Sequence, residues 1–308
     1  MNLSIEDTSI LIDDSPQKLW GLRVANGTRD DAATHELIGC LDEYRSYGAN
    51  AITTFFMGCR VSAYDPFSAD GRQIDAHHAR RMQSLARACE DRGMVLVAGI
   101  FYQNAPIGMK DRCAVENAVR TATRTLDGFS NVIINVVNEH NSSGWVKHGC
   151  YPFQDPDEII HLCRIAKQED AARIVGAGGN DHDLNEIIGR SDHVDALLFD
   201  TIGPHSSAEL SRRFRDAGIA KPLVNVEISA MWSNNEIKGV WTAAQIAHFK
   251  TEVDAAISEP ALSVFFHATG WYQSLPIRYD LGGDGTAKEP GVRWYFEFLR
   301  ERIQNSGV

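Results

Sequence analysis

Short runs rich in Val, Ile, Leu and Phe recur along the chain. They alternate with longer stretches in which apolar residues return every three or four positions. The first pattern predicts strands buried on both faces, the second amphipathic helices. The strand candidates are 19–24, 51–57, 94–101, 132–137, 173–177, 195–199, 223–226 and 262–266. Helical patterns follow most of them. Asp30 or Asp31 caps one with Leu37, Leu41 and Tyr44 on a stripe, and Met82, Leu85 and Cys89 mark the next. Others cover about 111–127, the stretch after Pro156, about 183–189, 207–217, 241–258 and 290–304. Strands alternating with helices predict a parallel sheet, and eight such units predict closure into a (β/α)8 TIM barrel. No linker or low-complexity segment divides the chain, so 1–308 is read as one domain. A doubly wound open sheet is the rival, but Gly-Leu-Arg-Val-Ala-Asn-Gly after the first strand lacks the glycine fingerprint of that fold. Residues 1–18 read as a polar lead-in with little periodicity.

Composition adds bounds. A chain of 308 residues, 44% hydrophobic, can bury a large core. Asp+Glu 41 against Lys+Arg 30 gives a net charge of -11, which disfavours polyanion-binding surfaces. Neither nucleic acid nor a membrane is an expected partner, and no apolar run is long enough to span a bilayer. Cys40, Cys59, Cys89, Cys113, Cys150 and Cys163 are scattered without metal-ligand spacing, so most are expected to be buried free thiols in a reducing compartment. Met-Asn-Leu-Ser-Ile-Glu-Asp lacks the basic start and apolar core of a signal peptide. The expectation is a cytoplasmic protein, or a secreted one if a leader has been removed.

The chemistry concentrates where strands end. Val132–Val137 runs straight into Asn138-Glu139, and the seventh strand candidate into Glu227. Carboxylates at the carboxyl ends of barrel strands lie at the mouth where such folds carry active sites. Two carboxylates facing one mouth suit cleavage of a glycosidic bond: one protonates the leaving oxygen, the other attacks the anomeric carbon or activates water. Asn26, Tyr102, Gln103, Asn104, Trp145, His205, Trp232, His267 and Trp271 also follow strands, and their aromatic faces and hydrogen-bonding groups fit a sugar.

This arrangement resembles the retaining glycoside hydrolases of the 4/7 superfamily, clan A, and among them family 5. The resemblance implies Glu139 as acid/base, Glu227 as nucleophile, Asn138 as holder of the sugar 2-hydroxyl and Trp271 as the aromatic platform under the sugar. It implies no cofactor and no catalytic metal, with a glycoside, oligosaccharide or polysaccharide as substrate. The chain departs from the family-5 pattern twice. The second strand carries no Arg, a place Arg23 at the end of strand one either fills or leaves open as a structural ion-pair partner. The His-x-Tyr after strand six is missing, with only His205 nearby.

Two other readings share the barrel. A metal-dependent sugar isomerase or epimerase needs ligands such as Glu139, Asp181, His205 and Glu227. A non-catalytic sugar-binding barrel needs none of this chemistry. Elsewhere, His77-His78 is expected on a solvated helix face, Asp181-His182-Asp183 fits a helix cap as well as a metal site, and Gly282–Gly285 reads as a turn.

Overall fold

A computed structural model describes residues 1–60, 63–201, 205–228 and 238–306. Eight strands form a closed parallel barrel: β4 (Trp20–Arg23), β5 (Ala51–Phe55), β6 (Val95–Phe101), β7 (Val132–Val137), β8 (Ile174–Ala177), β9 (Ala196–Asp200), β10 (Leu223–Ile228) and β11 (Leu262–Phe266). Each pairs with its neighbours in sequence, and β11 returns to β4. The expected (β/α)8 barrel is present. The helices α1 (Asp31–Ser46), α2 (Ala76–Glu90), α3 (Arg112–Thr125), α4 (Pro156–Glu169), α5 (His182–Arg190) and α6 (Ser207–Asp216) alternate with the strands. Two later helices, Ala243–Ser258 and Arg293–Ser306, flank β11.

The helix starts follow from side chains that satisfy the first free amides. Asp30, Asp75, Asp111, Asp155 and Asp181 accept from the backbone of the turn they open, and Ser206 and Thr242 each complete a capping box. Asp181 thereby resolves one open reading, because its carboxylate is occupied with the Asp183 and Leu184 amides.

The lead-in is not irregular. Leu3–Glu6 (β1), Ser9–Ile12 (β2) and Ser15–Gln17 (β3) form an antiparallel sheet of three strands. Asp7, Asp13 and Asp14 adopt positive φ in its tight turns. Strands of three or four residues are too short to show a period of two, which is why the sequence hides them. Leu3 and Ile10 pack with Val95, Val97, Ile133, Ile174, Leu198, Val224 and Phe265, so this sheet closes the amino-terminal end of the barrel. Ile10→Ala is expected to lower the unfolding free energy by about 2–5 kcal/mol, read by urea denaturation, with catalytic parameters unchanged, because Ile10 lies at the end away from the site.

A second expectation is corrected at α2. His77 is exposed, but His78 is buried against Tyr64 and Phe56 because the loop after β5 folds back through a Phe67–Ile74 bridge. Burial pushes the His78 imidazole down to about 3. All six cysteines are free; Cys59, Cys89 and Cys163 are buried, Cys40 and Cys150 half-buried, and Cys113 exposed. The glycine-rich stretch is a turn, tied by a Gly282–Gly291 bridge.

Barrel filling sets up the site floor. Phe55 lies over Gly99, where an added Cβ would come within 2.1 Å of the ring, so only glycine fits. The guanidinium of Arg23 then rests on that ring, 5.1 Å from its centroid.

Candidate active site

Period-two alternation aims the strand ends inward. In β9, Ala196 and Leu198 belong to the barrel interior, so Asp200 faces the same way. In β10, Val224 and Val226 do so, and the ladder then shifts register between Asn225 and Glu227. Asn225 Oδ1 accepts the Glu227 amide at 3.0 Å, which holds this bulge and turns the next side chain into the mouth. Behind it, Asn225 Nδ2 donates to Thr201 Oγ1 at 2.9 Å and Ser207 Oγ at 2.8 Å, and Ser207 is bound to the buried carboxylate of Glu252.

Arg23 is wholly buried beneath the mouth, with its Nε 3.2 Å from Glu227 Oε2 in an ionic contact that is not aligned as a hydrogen bond. Burial alone would pull its pKa down, but the charge of Glu227 and the Tyr102 phenol outweigh that and keep it protonated. A guanidinium only donates, and this fixes the polarity of the network around it. Arg23 Nη2 donates to Asn138 Oδ1 at 2.6 Å. The Asn138 amide nitrogen therefore donates onward, to Gln103 Oε1 at 2.8 Å and Glu139 Oε2 at 3.1 Å. Gln103 Nε2 must then donate to the same Glu139 oxygen.

A second arm converges from the other side. The Asn180 backbone amide donates to Asn141 Oδ1 at 3.0 Å, so Asn141 Nδ2 donates to Asn180 Oδ1. That leaves Asn180 Nδ2 to donate to Glu139 Oε1 at 3.0 Å. Glu139 thus receives two donors on Oε2 and one on Oε1. Burial, then the charge of Glu227, still raises its pKa above the usual carboxylate range, against Arg23 and these donors.

The backbone of Glu139 sits at φ 40°, in the left-handed region that costs a non-glycine residue about 1–3 kcal/mol. Trp145 holds it there. The indole N–H reaches Glu139 O at 2.9 Å and Asn138 O at 3.2 Å, and its ring stacks on Phe153 at 4.3 Å. Trp145→Phe keeps the stack and removes the donor. We expect it to cost about 1–3 kcal/mol of stability by urea denaturation and to lower kcat more than it raises KM.

Glu227 is 8% exposed, with His267 Nε2 3.3 Å from Oε1 on the side opposite Asp200. Burial raises its pKa, while Arg23 and Arg60 oppose the shift. Burial, then the charges of Arg23 and Arg60, holds His267 far below its ordinary pKa, so it is a neutral imidazole. Thr269 Oγ1 lies 2.8 Å from its Nε2, and the Gln273 amide, whose Oε1 accepts from the Cys59 thiol at 3.0 Å, flanks the ring.

The structure therefore brings Arg23, Tyr102, Asn138, Glu139, Glu227 and His267 together, with Tyr102 OH 3.4 Å from Arg23 Nη2. Other candidates from the sequence sit differently. Trp145 supports Glu139 from behind. Trp271 is only 2% exposed: its N–H donates to Asp280 O at 2.7 Å, Arg278 lies 5.0 Å from the ring centroid, and Gly239 and Gly282 press against it. It is packed into the loops and presents no open face as a platform. His205 is exposed with its ring 5.9 Å from His182, and its contacts among the described residues do not reach either glutamate. Asn104 is exposed on the loop after β6, and among the described residues no hydrogen bond joins it to the site. Trp232 lies outside the described residues. His140, next to Glu139 in sequence, points away toward Asp181 and Asn185.

Gln103 and Asn180, which bond Glu139 directly, and Asp200 carry weak sequence signals. Each is a polar residue just at or after a strand end, the same cue that marks Asn138. Among the described residues no group of three or more His, Cys, Asp or Glu side chains is arranged to hold a metal ion. Asp181 caps a helix and His205 lies against His182, so the four ligands of an isomerase site are not assembled.

No protein-family model matches the chain, and no curated protein sequence does. Solved structures do. A β-mannanase from the blue mussel Mytilus edulis is 13% identical, with TM-score 0.62 over 98% of this chain and 96% of that one. A β-1,4-D-mannanase from Cryptopygus antarcticus is 12% identical, with TM-score 0.65 over 97% and 94%. An exo-β-1,4-mannosidase from an Opitutaceae bacterium is 14% identical, with TM-score 0.64; the match covers 98% of this chain and 63% of that one. At these identities the likeness is one of fold: this chain is built on the (β/α)8 barrel that it shares with these glycoside hydrolase structures.

Proposed function

We propose that this protein is a retaining β-glycoside hydrolase, with Glu139 as acid/base and Glu227 as nucleophile. The observation that carries the reading is the unequal electrostatic surroundings of two buried carboxyls in one mouth. Glu227 lies beside a buried guanidinium, which favours the ionised form a nucleophile needs. Among the described residues no cation is in direct contact with Glu139, and its pKa is raised by burial and by Glu227. A carboxylate offers about four lone-pair positions, two on each oxygen. Two donors saturate Oε2 and one occupies Oε1, which leaves a single position, on Oε1, for the proton. The leaving oxygen takes its proton there, and the water of the second step gives one back. Asn138, locked by Arg23 and by its bond to Gln103, holds the other oxygen, Oε2, and only the second lone pair of its Oδ1 is left to accept from a ring hydroxyl. Solved barrels of the same fold that are mannanases support a polysaccharide or its fragments as substrate.

The chemistry needs Glu227 ionised and Glu139 protonated. As pH falls, activity is lost when Glu227 gains a proton; as pH rises, it is lost when Glu139 gives one up. Both groups are shifted upward, so the profile of kcat/KM against pH is expected to be a bell with both limbs above the ordinary carboxylate range. Aryl β-glycosides and mannans, screened together with NMR of the first-formed anomer, test the reading. Retention of the β-anomer supports it; an inverted first product contradicts it.

A further inference from the structure

A third carboxyl stands in the mouth without a stated task. Asp200 closes β9 and lies directly across the strand pair from Glu227. It is 1% exposed, and its Oδ1 is buried with no hydrogen-bond partner. The three carboxyls are treated differently by their surroundings. Glu139 collects three N–H donors, and Glu227 has Arg23 and the His267 ring. No hydrogen bond reaches the Asp200 carboxyl among the described residues. An ionised carboxylate accepts only, so burying one without donors is costly; a neutral acid carries an O–H of its own.

The charged groups acting on Asp200 point the same way. Glu227 from β10 and Glu139 from the end of β7 repel a negative charge there, and only Arg23 from β4 favours one. Burial is the largest influence, and together these push the carboxyl well above its ordinary range. Arg23 is already in contact with Glu227, so its charge is committed.

We propose that Asp200 is a third working carboxyl of this cleft, a neutral acid whose O–H donates to the sugar held against Glu227. The assignment rests on the glycosidase reading of the same site. With Asp200 neutral, the negative charge on that side of the mouth stays on the nucleophile. The sugar gains a donor on the flank of Glu227 opposite His267.

The test combines stability and kinetics of the full chain. If Asp200 is neutral when folded and ionised when unfolded, unfolding releases its proton. Relative to Asp200→Asn, the wild-type unfolding constant then rises about tenfold per pH unit above the ordinary Asp range. Urea denaturation of both proteins between about pH 5 and pH 7 reads this slope directly. A ratio that does not change with pH overturns the proposal, whatever the protein cleaves. In turnover, Asp200→Asn keeps a donor and is expected to retain about tenfold more kcat than Asp200→Ala. It is also expected to keep the pH limbs of the wild type. Limbs moved to lower pH in Asp200→Asn would show that a negative charge had been removed, which contradicts a neutral acid. Equal kcat for Asp200→Ala and wild type overturns the donor role. The slope with no cleavage of any glycoside refutes the glycosidase reading while supporting the proton on Asp200.

Discussion

Glu227→Ala is expected to abolish glycoside cleavage, lowering kcat by about 10⁴-fold or more, the scale on which loss of a covalent nucleophile acts. That is about 5.5 kcal/mol of transition-state stabilisation. Loss of one hydrogen-bond donor to a developing charge costs about 10²–10³-fold, so the size of the effect separates attack from mere positioning. Removing the carboxylate leaves a gap beside Arg23 and His267, with a guanidinium ready to hold a small anion. Added azide is therefore expected to restore part of the rate on activated aryl glycosides. It attacks from the side Glu227 occupied, so the glycosyl azide has inverted configuration. Full activity of the variant without azide would remove Glu227 from the chemistry.

Glu139→Gln acts through the leaving group. Without a proton donor, kcat/KM for substrates with poor leaving groups is expected to fall by about 10²–10⁴-fold. Aryl glycosides whose leaving group departs as a stable anion should lose far less. Equal losses on both would mean that Glu139 is not the acid. The variant also meets a hydrogen-bond mismatch. Three donors converge on Glu139, and an amide has one oxygen to receive them. With that oxygen toward Gln103 and Asn138, the amide nitrogen faces the Asn180 donor. A stability loss of about 1–3 kcal/mol accompanies the kinetic effect, and urea denaturation measures it separately.

The barrel was legible because each buried parallel strand reads as an apolar run and each helix carries a stripe and a cap. Val132–Val137 and Leu262–Phe266 match their sequence ranges residue for residue. The sheet of β1 to β3 was not legible, since its apolar residues are too few per strand to show alternation. His78 was misread because local pattern cannot foresee that a long loop will fold back over a helix. In the site, Glu139 and Glu227 stood out by their place at strand ends, and the structure puts both in one mouth. The direction of the hydrogen-bond network was invisible, because it depends on Arg23 reaching Asn138 from a strand far away in sequence. Trp271 followed a family resemblance to an open platform, whereas the loops around Gly239 and Gly282 enclose it. Asp200 ends a strand as Glu227 does but was given no role, because its burial without a donor is visible only in the structure.

A retaining mechanism at this site requires a covalent bond between the sugar and Glu227. A 2-deoxy-2-fluoro glycoside with a good leaving group slows the second step, so the glycosyl-enzyme accumulates and intact mass spectrometry with peptide mapping can locate it. Stoichiometric labelling is expected, with the sugar on the peptide that contains Glu227. Turnover of the parent glycoside with no label, or with the label on another carboxylate, would contradict it.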